Sequence, residues 1–318
     1  MKLKKEVPRD NRIGREWLLV LVVLVILAFI SMFIAGIIST VLNSGGVPTM
    51  TGNAAVIPIK GAIMVERSAL SFGEEMTTSS AIIKMIDRAE KDVNVKAIVF
   101  EINSPGGSAV ASEEIANRVK KIKKPTVAWI REIGTSGAYW VASATNHIVA
   151  NRMSITGSIG VISSYLDFSG FLGDHNVSYQ RLVSGEYKDI GSPLKPLTPM
   201  EERLFKERLD MIHDYFIEAV AVNRNMGNEE VIELSTGLFY LGTQAKDLNL
   251  IDELGNKDEV KAYLEKRLGA SIELVSFATE KSFLEMLGSV FSKNSFYVGR
   301  GIGYSFSNNM ENGLKIVS

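Results

Sequence analysis

The sequence predicts a parallel α/β domain preceded by one N-terminal transmembrane helix, and three observations carry that prediction. Between residues 54 and 150, apolar runs of strand length alternate with amphipathic runs of helix length, the pattern of strand–helix–strand units. The joints between these runs are short and rich in glycine, as parallel units with neighbouring strands require. Ahead of them lies Trp17 to Leu42, 26 residues without a charge.

Composition narrows the chemistry. The chain has 318 residues, enough for one anchored domain of ordinary size. A hydrophobic content of 46% and a mean hydropathy of +0.12 are high for a soluble protein and fit a membrane segment. The net charge of −1 creates no global field for nucleic acid. Cysteine is absent, which excludes disulfides, thiolate nucleophiles and Cys-based metal sites. The three histidines, His147, His175 and His213, are far apart and show no metal-ligand spacing. No metal and no cofactor is therefore expected.

Residues 1–16 form a basic segment, with Lys2, Lys4, Lys5, Arg9, Arg12 and Arg15 against Glu6, Asp10 and Glu16. At 1.5 Å per residue the run 17–42 reaches roughly 39 Å, enough to cross the ~30 Å hydrocarbon core with tilt. It is too long for the apolar core of a cleaved signal peptide and ends in Ser-Thr-Val-Leu rather than a small-x-small site. Basic residues precede the run and no charge follows it before Lys60. The N-terminus is thus expected in the cytoplasm and the body of the protein outside the cytoplasmic membrane.

A polar linker is expected over 43–53 and a folded domain over 54–275. The domain opens on a strand, Ala54 to Ile63, that Pro58 marks as an edge or bent one. Residues 66–77 read as a loop, and Ser79 to Lys91 as an amphipathic helix through Ile82, Ile83, Ile86 and Ala89. Val95 to Ile102 is a strand covered on both faces. A helix follows from Ala109 to Lys123 and stops before Pro125. Strands at Thr126 to Arg131 and His147 to Ala150 flank a short helix at Ala138 to Ala144. Ile155 to Ile162 is an extended, glycine-containing segment. Thr198-Pro199-Met200-Glu201 is a capping box with proline at the first helical position, and opens a long helix to Arg224. Gly237 to Gly255 suggests a final turn region, and Lys257 to Leu268 another amphipathic helix. Residues 276–318 form a C-terminal segment with Phe283, Leu287, Val290 and Phe291 on one possible helix face.

The candidate chemistry centres on Gly134-Thr135-Ser136-Gly137. A serine at a strand-to-helix turn presents its hydroxyl outward beside the free first N–H groups of the helix. An N-cap serine between turn glycines is the plain alternative. A nucleophilic Ser136 needs a base. His175, with Asp174 beside it, is the best-placed histidine. His147 reads as a packed or surface residue, and His213 sits mid-helix with a structural or surface role as its default. Lysine is the other option, and Lys188, between Tyr187 and a Gly-Ser-Pro turn, is the suggestive one against a solvated loop lysine. An ordinary lysine titrates near 10.4, so it must be dried and hydrogen-bonded to act at neutral pH. The Ser104-Pro105-Gly106-Gly107 turn offers close-approaching backbone N–H groups for an oxyanion, with the Gly137 N–H as second donor.

Six motifs occur in order: Asn103-Ser104-Pro105-Gly106-Gly107-Ser108, the Ser136 turn, Thr156 to Val161, Gly185 to Pro193, Gly242-Thr243-Gln244-Ala245 and Leu250 to Gly255. Together they resemble signal peptide peptidase A, the membrane-anchored protease IV family of bacteria and archaea, over about residues 54–265. The resemblance implies a Ser–Lys serine peptidase on the spiral ββα fold shared with Clp protease and the crotonases. It makes Ser136 the nucleophile, Lys188 the general base and acid, and the Gly107 and Gly137 N–H groups the oxyanion hole. Gly157, Ser158, Ile159 and Gly160 would line a substrate groove and pair with an extended peptide. The implied substrates are remnants of cleaved signal peptides and similar apolar peptides. The implied partners are the lipid bilayer and further copies in a homo-oligomeric ring whose sites are completed between subunits. Clp protease shares the Ser-Pro-Gly-Gly turn but uses a histidine about 25 residues after its serine, where this chain has Val161. Two alternatives stand beside the peptidase: a non-catalytic membrane scaffold on the same fold, and a crotonase-like acyl-CoA enzyme.

Overall fold

The computed structural model describes residues 12–44, 52–66 and 76–277. The basic segment before residue 12, most of the 43–53 linker and the C-terminal segment after residue 277 lie outside the described residues. The chain divides into two units, the first ending at Thr51 and the second beginning at Gly52.

The described residues of the first unit form one helix, α1 (Arg12–Ser44), and the expected span 17–42 is helical throughout. Side chains 20–33 are all described and all exposed. Among the described residues no helix is long and apolar enough to cross a membrane.

The second unit opens with β1 (Ala54–Lys60), β2 (Ala62–Met64) and β3 (Met76–Thr78). Then come α2 (Ser79–Lys91), β4 (Ala97–Ser104), α3 (Ala109–Lys120), β5 (Thr126–Thr135), α4 (Gly137–Ser143) and β6 (His147–Ala150). Local chemistry sets the helix starts: the Thr78 and Ser108 hydroxyls accept from the N–H groups of Ala81 and Ala111, each satisfying an orphan donor of the first turn. The first halves of β4 and β5, Ala97 to Phe100 and Thr126 to Ile130, and most of β6 are buried and largely apolar because both faces are covered there. Beyond them run β7 (Ile155–Gly157), α5 (Ser169–Asp174), α6 (Pro199–Arg224) and α7 (Asn228–Leu234). The chain closes with β8 (Phe239–Leu241), α8 (Gly242–Asp247), β9 (Glu253–Leu254), α9 (Lys257–Leu268) and β10 (Leu274–Ser276).

The main sheet runs β10-β1-β4-β5-β6-β9 with every pair parallel. On one of its faces Val260 and Leu264 of α9 close over Ala97, Val99, Val127 and Val149. Pro58 does not make β1 an edge strand, because β10 pairs with Ala54 to Val56 and β4 with the whole strand. The proline sits past the end of β10, where its missing N–H leaves no ladder bond unmade.

The strand that matters most is β5. Its first half, Val127 to Ile130, pairs with β6, and its last three residues pair with Ile155 to Gly157 of β7. A register shift in its pairing with β4 falls between Ile102 and Ser104. The strand thus exchanges β6 for β7 as it approaches Ser136, while Gly134 still pairs with Ser104 of β4. β7 in turn pairs antiparallel with β8, an exception to the all-parallel expectation. The sequence pattern also passed over α5, α7 and β10, which are short and lack an apolar stripe of their own.

Candidate active site

Ser136 stands between the end of β5 and the first turn of α4, with φ 53° and ψ −127°. Positive φ in a residue with a Cβ costs on the order of 1–3 kcal/mol and persists only where neighbours impose it. Here the Ser136 N–H donates to the Gly157 carbonyl at 2.8 Å and the Ser136 carbonyl accepts from the Trp140 N–H at 3.0 Å. Its side chain makes no cap bond to α4, so the plain N-cap reading is excluded. The hydroxyl has no hydrogen-bond partner among the described residues and faces a cleft of about 760 Å³.

The Gly106-Gly107 turn lies against this serine. A Cβ built on Gly106 would stand 2.7 Å from the Gly137 nitrogen and 2.9 Å from the Ser136 Cβ. Only a residue without one permits that approach. Gly107 forms a parallel bridge with Ile63. The Ile63 N–H donates to the Gly106 carbonyl and the Ser108 N–H to the Ile63 carbonyl. In such a bridge the middle residue's own N–H points to the other side, and that side holds Gly137. A Cβ on Gly137 would be 3.5 Å from the Gly107 nitrogen. Among the described residues neither N–H meets an acceptor, so two donors sit side by side next to an unpartnered hydroxyl.

The segment after β7 forms another part of the wall. The Ser158 N–H donates to the Leu238 carbonyl, its hydroxyl to the Gly237 carbonyl, and the Gly237 N–H to the Ile159 carbonyl. Ser158 and Gly160 line the cleft. Ile159 is fully buried, and Gly157 lies in β7 facing Tyr240, so neither of these two lines it.

The opposite wall is α6. Trp140 of α4 stacks on Phe216 at 4.7 Å between ring centroids, which fixes the helix beside the serine turn. Lys206, Asp210 and His213 line the same cleft, with Lys206 paired to Asp210 at 2.8 Å. The His213 Nε2 is buried and has no hydrogen-bond partner among the described residues. From sequence alone His213 is a mid-helix residue. The usable signal was the spacing of Lys206, Asp210, His213 and Phe216, which share one helical face, but the sequence does not show what that face meets.

Lys188 is on an exposed turn, its N–H donating to the Gly185 carbonyl at 3.1 Å. It is not among the residues that line the Ser136 cleft of its own chain. His175 is exposed, bonded through Nδ1 to the Phe171 carbonyl, and also lies outside the cleft. His147 stacks on Tyr263 at 3.8 Å and meets Glu253 through Nε2, a packed role. Among the described residues no group of acidic or histidine side chains could hold a metal ion.

A strained serine at a strand-to-helix turn, with paired backbone donors beside an open cleft, is the arrangement that serine hydrolases use for acyl transfer. The model of peptidase family S49 matches residues 118–271. A Methanocaldococcus jannaschii protein named as protease MJ0651 is 32% identical over 235 residues, covering 73% of this chain and 74% of that one. An Enterococcus faecium protein named as signal peptide peptidase SppA is 32% identical over 213 residues, or 66% of this chain and 62% of its own length. Among solved structures, the 1510-N membrane-bound stomatin-specific protease with a substrate peptide has a TM-score of 0.49 at 18% identity, covering 76% of this chain and 98% of that one. The chain belongs to peptidase family S49, the signal peptide peptidase A family of serine peptidases.

Proposed function

We propose that this protein is a membrane-anchored Ser–Lys endopeptidase that degrades cleaved signal peptides and similar apolar peptides at the outer face of the cytoplasmic membrane. The observation that carries the reading is the unpartnered Ser136 hydroxyl beside the free N–H groups of Gly107 and Gly137. In this reading the neutral Lys188 amine takes the Ser136 proton as Oγ attacks the scissile carbonyl. The two N–H groups hold the oxyanion. Collapse expels the amine, which carries the proton back from lysine, and leaves an acyl-enzyme. Water then attacks with the same lysine as base, and the proton returns to Ser136 as the peptide acid departs. An extended substrate would lie along Ser158 to Gly160, whose other edge is taken up by Gly237 and Leu238.

The lysine in this reading comes from a neighbouring copy in a ring. Two features support that arrangement: Lys188 is exposed, and the segment carrying it exposes Ile162, Leu166, Phe171 and Leu182, an apolar surface of the kind that subunit contacts cover. The anchor rests on the uncharged run 17–42 and its helical backbone. The spiral reading of the fold is supported by the way β5 exchanges β6 for β7.

A second reading has its own observation. His213 lines the cleft of its own chain with an unpartnered Nε2, and would serve as base without a neighbour. Subunit mixing separates the two. Ser136→Ala and Lys188→Ala should each be inactive on an apolar reporter peptide. Denatured and refolded together they should recover activity, because one copy supplies the serine and the other the lysine. Activity surviving in Lys188→Ala and lost in His213→Ala would reverse the assignment of the base.

A further inference from the structure

We propose that Arg181 is a positioning residue for Lys188, clamping the turn that carries it from both sides. The proposal rests on the Ser136–Lys188 reading above. The Arg181 guanidinium makes three hydrogen bonds. Nε donates to Asp189 Oδ2 at 2.7 Å, and Nη2 donates to Asp189 Oδ1 at 2.8 Å and to the Glu186 carbonyl at 2.7 Å. Asp189 follows Lys188 and Glu186 stands two residues before it, so one planar group holds a backbone carbonyl before the lysine and a side-chain carboxylate after it. The turn is otherwise held by single bonds, Lys188 N–H to Gly185 carbonyl, Ile190 N–H to Tyr187 carbonyl and Ser192 N–H to Asp189 carbonyl.

The clamp is tied to the helix that walls the serine cleft. Lys195 lies 4.0 Å from Asp189 and makes a 2.6 Å pair with Glu201. Glu201 closes the capping box of α6 with Thr198. At the far end of the turn, Gly191 is so close to Phe205 of α6 that a Cβ would stand 3.0 Å from the ring. The turn and α6 therefore share one frame.

An exposed ion pair adds little to folding stability, and Arg181 is 40% exposed in its side chain. Its contribution is to geometry, where a misplacement of about 1 Å at a reacting group lowers rate by about 100-fold. It also neutralises a carboxylate beside the lysine. The Arg181 guanidinium holds the Asp189 carboxyl below its usual range. The other charged or titratable groups about the turn are Glu186, Tyr187, Lys195 and Glu201. Without the guanidinium, Asp189 would stand as an unpaired anion in the residue after Lys188, and a nearby anion favours the charged form of an amine. Lysine cannot replace the fork, because its ammonium does not span two oxygens and a carbonyl in one plane.

The test is steady-state hydrolysis of an apolar reporter peptide by the full chain in detergent micelles, from pH 6 to 10. Arg181→Ala and Arg181→Gln should lower kcat about 10- to 100-fold with KM within about twofold, and should move the rising limb of the profile to higher pH. Adding Asp189→Asn to Arg181→Ala should return the limb to its wild-type position without restoring kcat. Arg181→Lys should recover only a minor part of the rate. Wild-type kcat and profile in both Arg181→Ala and Arg181→Gln overturn the clamp, provided Lys188→Ala is inactive in the same assay. Full activity in Lys188→Ala instead overturns the dyad reading, and the clamp falls with it.

Discussion

At Ser136, three neighbours impose a backbone conformation that a serine would not adopt alone: the Gly157 carbonyl, the first turn of α4 and the Gly106-Gly107 turn. Gly107 and Gly137 are the tightest of the surrounding positions: a Cβ would stand 2.1 Å from the Ile63 carbonyl oxygen at the first and 2.1 Å from the Ser112 hydroxyl oxygen of α3 at the second. Gly137→Ala must push α4 and α3 apart and shift its own N–H away from that of Gly107. The expected result is a loss of about 100- to 1,000-fold in kcat, the size of one lost oxyanion donor. Overpacking should also lower stability by about 1–3 kcal/mol. Single-turnover kinetics beside a thermal melt would separate the two, and unchanged kcat would remove the N–H pair from the mechanism. Much of this was legible in the sequence, because Ser-Pro-Gly-Gly and Gly-Thr-Ser-Gly are local turn chemistry that few other folds of the chain could satisfy. His213 was not legible, since its place in the cleft depends on where a helix begun some fifteen residues earlier comes to rest.

α6 is held at its middle by α4 and at its C-terminal end by the sheet. Trp140 and Phe216 stack at its middle. Near its C-terminus, Arg224 places Nη1 and Nη2 on the two oxygens of Asp252 at 2.9 and 2.8 Å, and Asp252 also accepts from the Ile148 N–H of β6 at 2.7 Å. Burial pushes the Asp252 carboxyl up, but the Arg224 fork and the Ile148 N–H outweigh it and hold it below the ordinary value. A lowered folded-state pKa means that the unfolded chain binds the proton more readily. The stabilisation is therefore complete above the ordinary aspartate value of about 3.9 and is lost as the pH falls through the lowered one. Asp252→Asn leaves the arginine without its counter-charge and should cost about 3 kcal/mol at pH 7. It should also flatten the acid limb of stability below about pH 5. Denaturant melts of both proteins at pH 7 and at about pH 2 would check this, and an equal loss at the two pH values would contradict the charge argument. The helix α6 itself was legible from end to end through its capping box. Its Arg224–Asp252 tie was not, because the partners lie 28 residues apart in sequence.

For the whole molecule the proposed anchor predicts where the folded unit lies. The basic residues before Trp17 and the absence of charge from there to Lys60 lead to an expected cytoplasmic N-terminus and an external peptidase domain. Carbonate-washed membranes should retain the full chain, and protease added to intact spheroplasts should digest the domain but spare a short N-terminal fragment. A mature protein beginning near residue 45, read by N-terminal sequencing, would sink the anchor. Deleting residues 1–44 should release the domain into the soluble fraction.

The sequence by itself determined the helix and strand runs, the strand-to-helix turns at Gly106 and Ser136, and the family motifs in their order. Each of these depends on residues within a few positions of one another, where φ preference, capping and apolar period act directly. Only the tertiary structure decided that β5 leaves one ladder for another, that Gly107 and Gly137 turn their N–H groups to the same place, and that α6 closes the cleft with His213. It also put Lys188 outside the residues lining its own chain's cleft and bracketed it with Arg181. Those arrangements come from register and packing between distant segments, which sum many small contacts that no local pattern encodes.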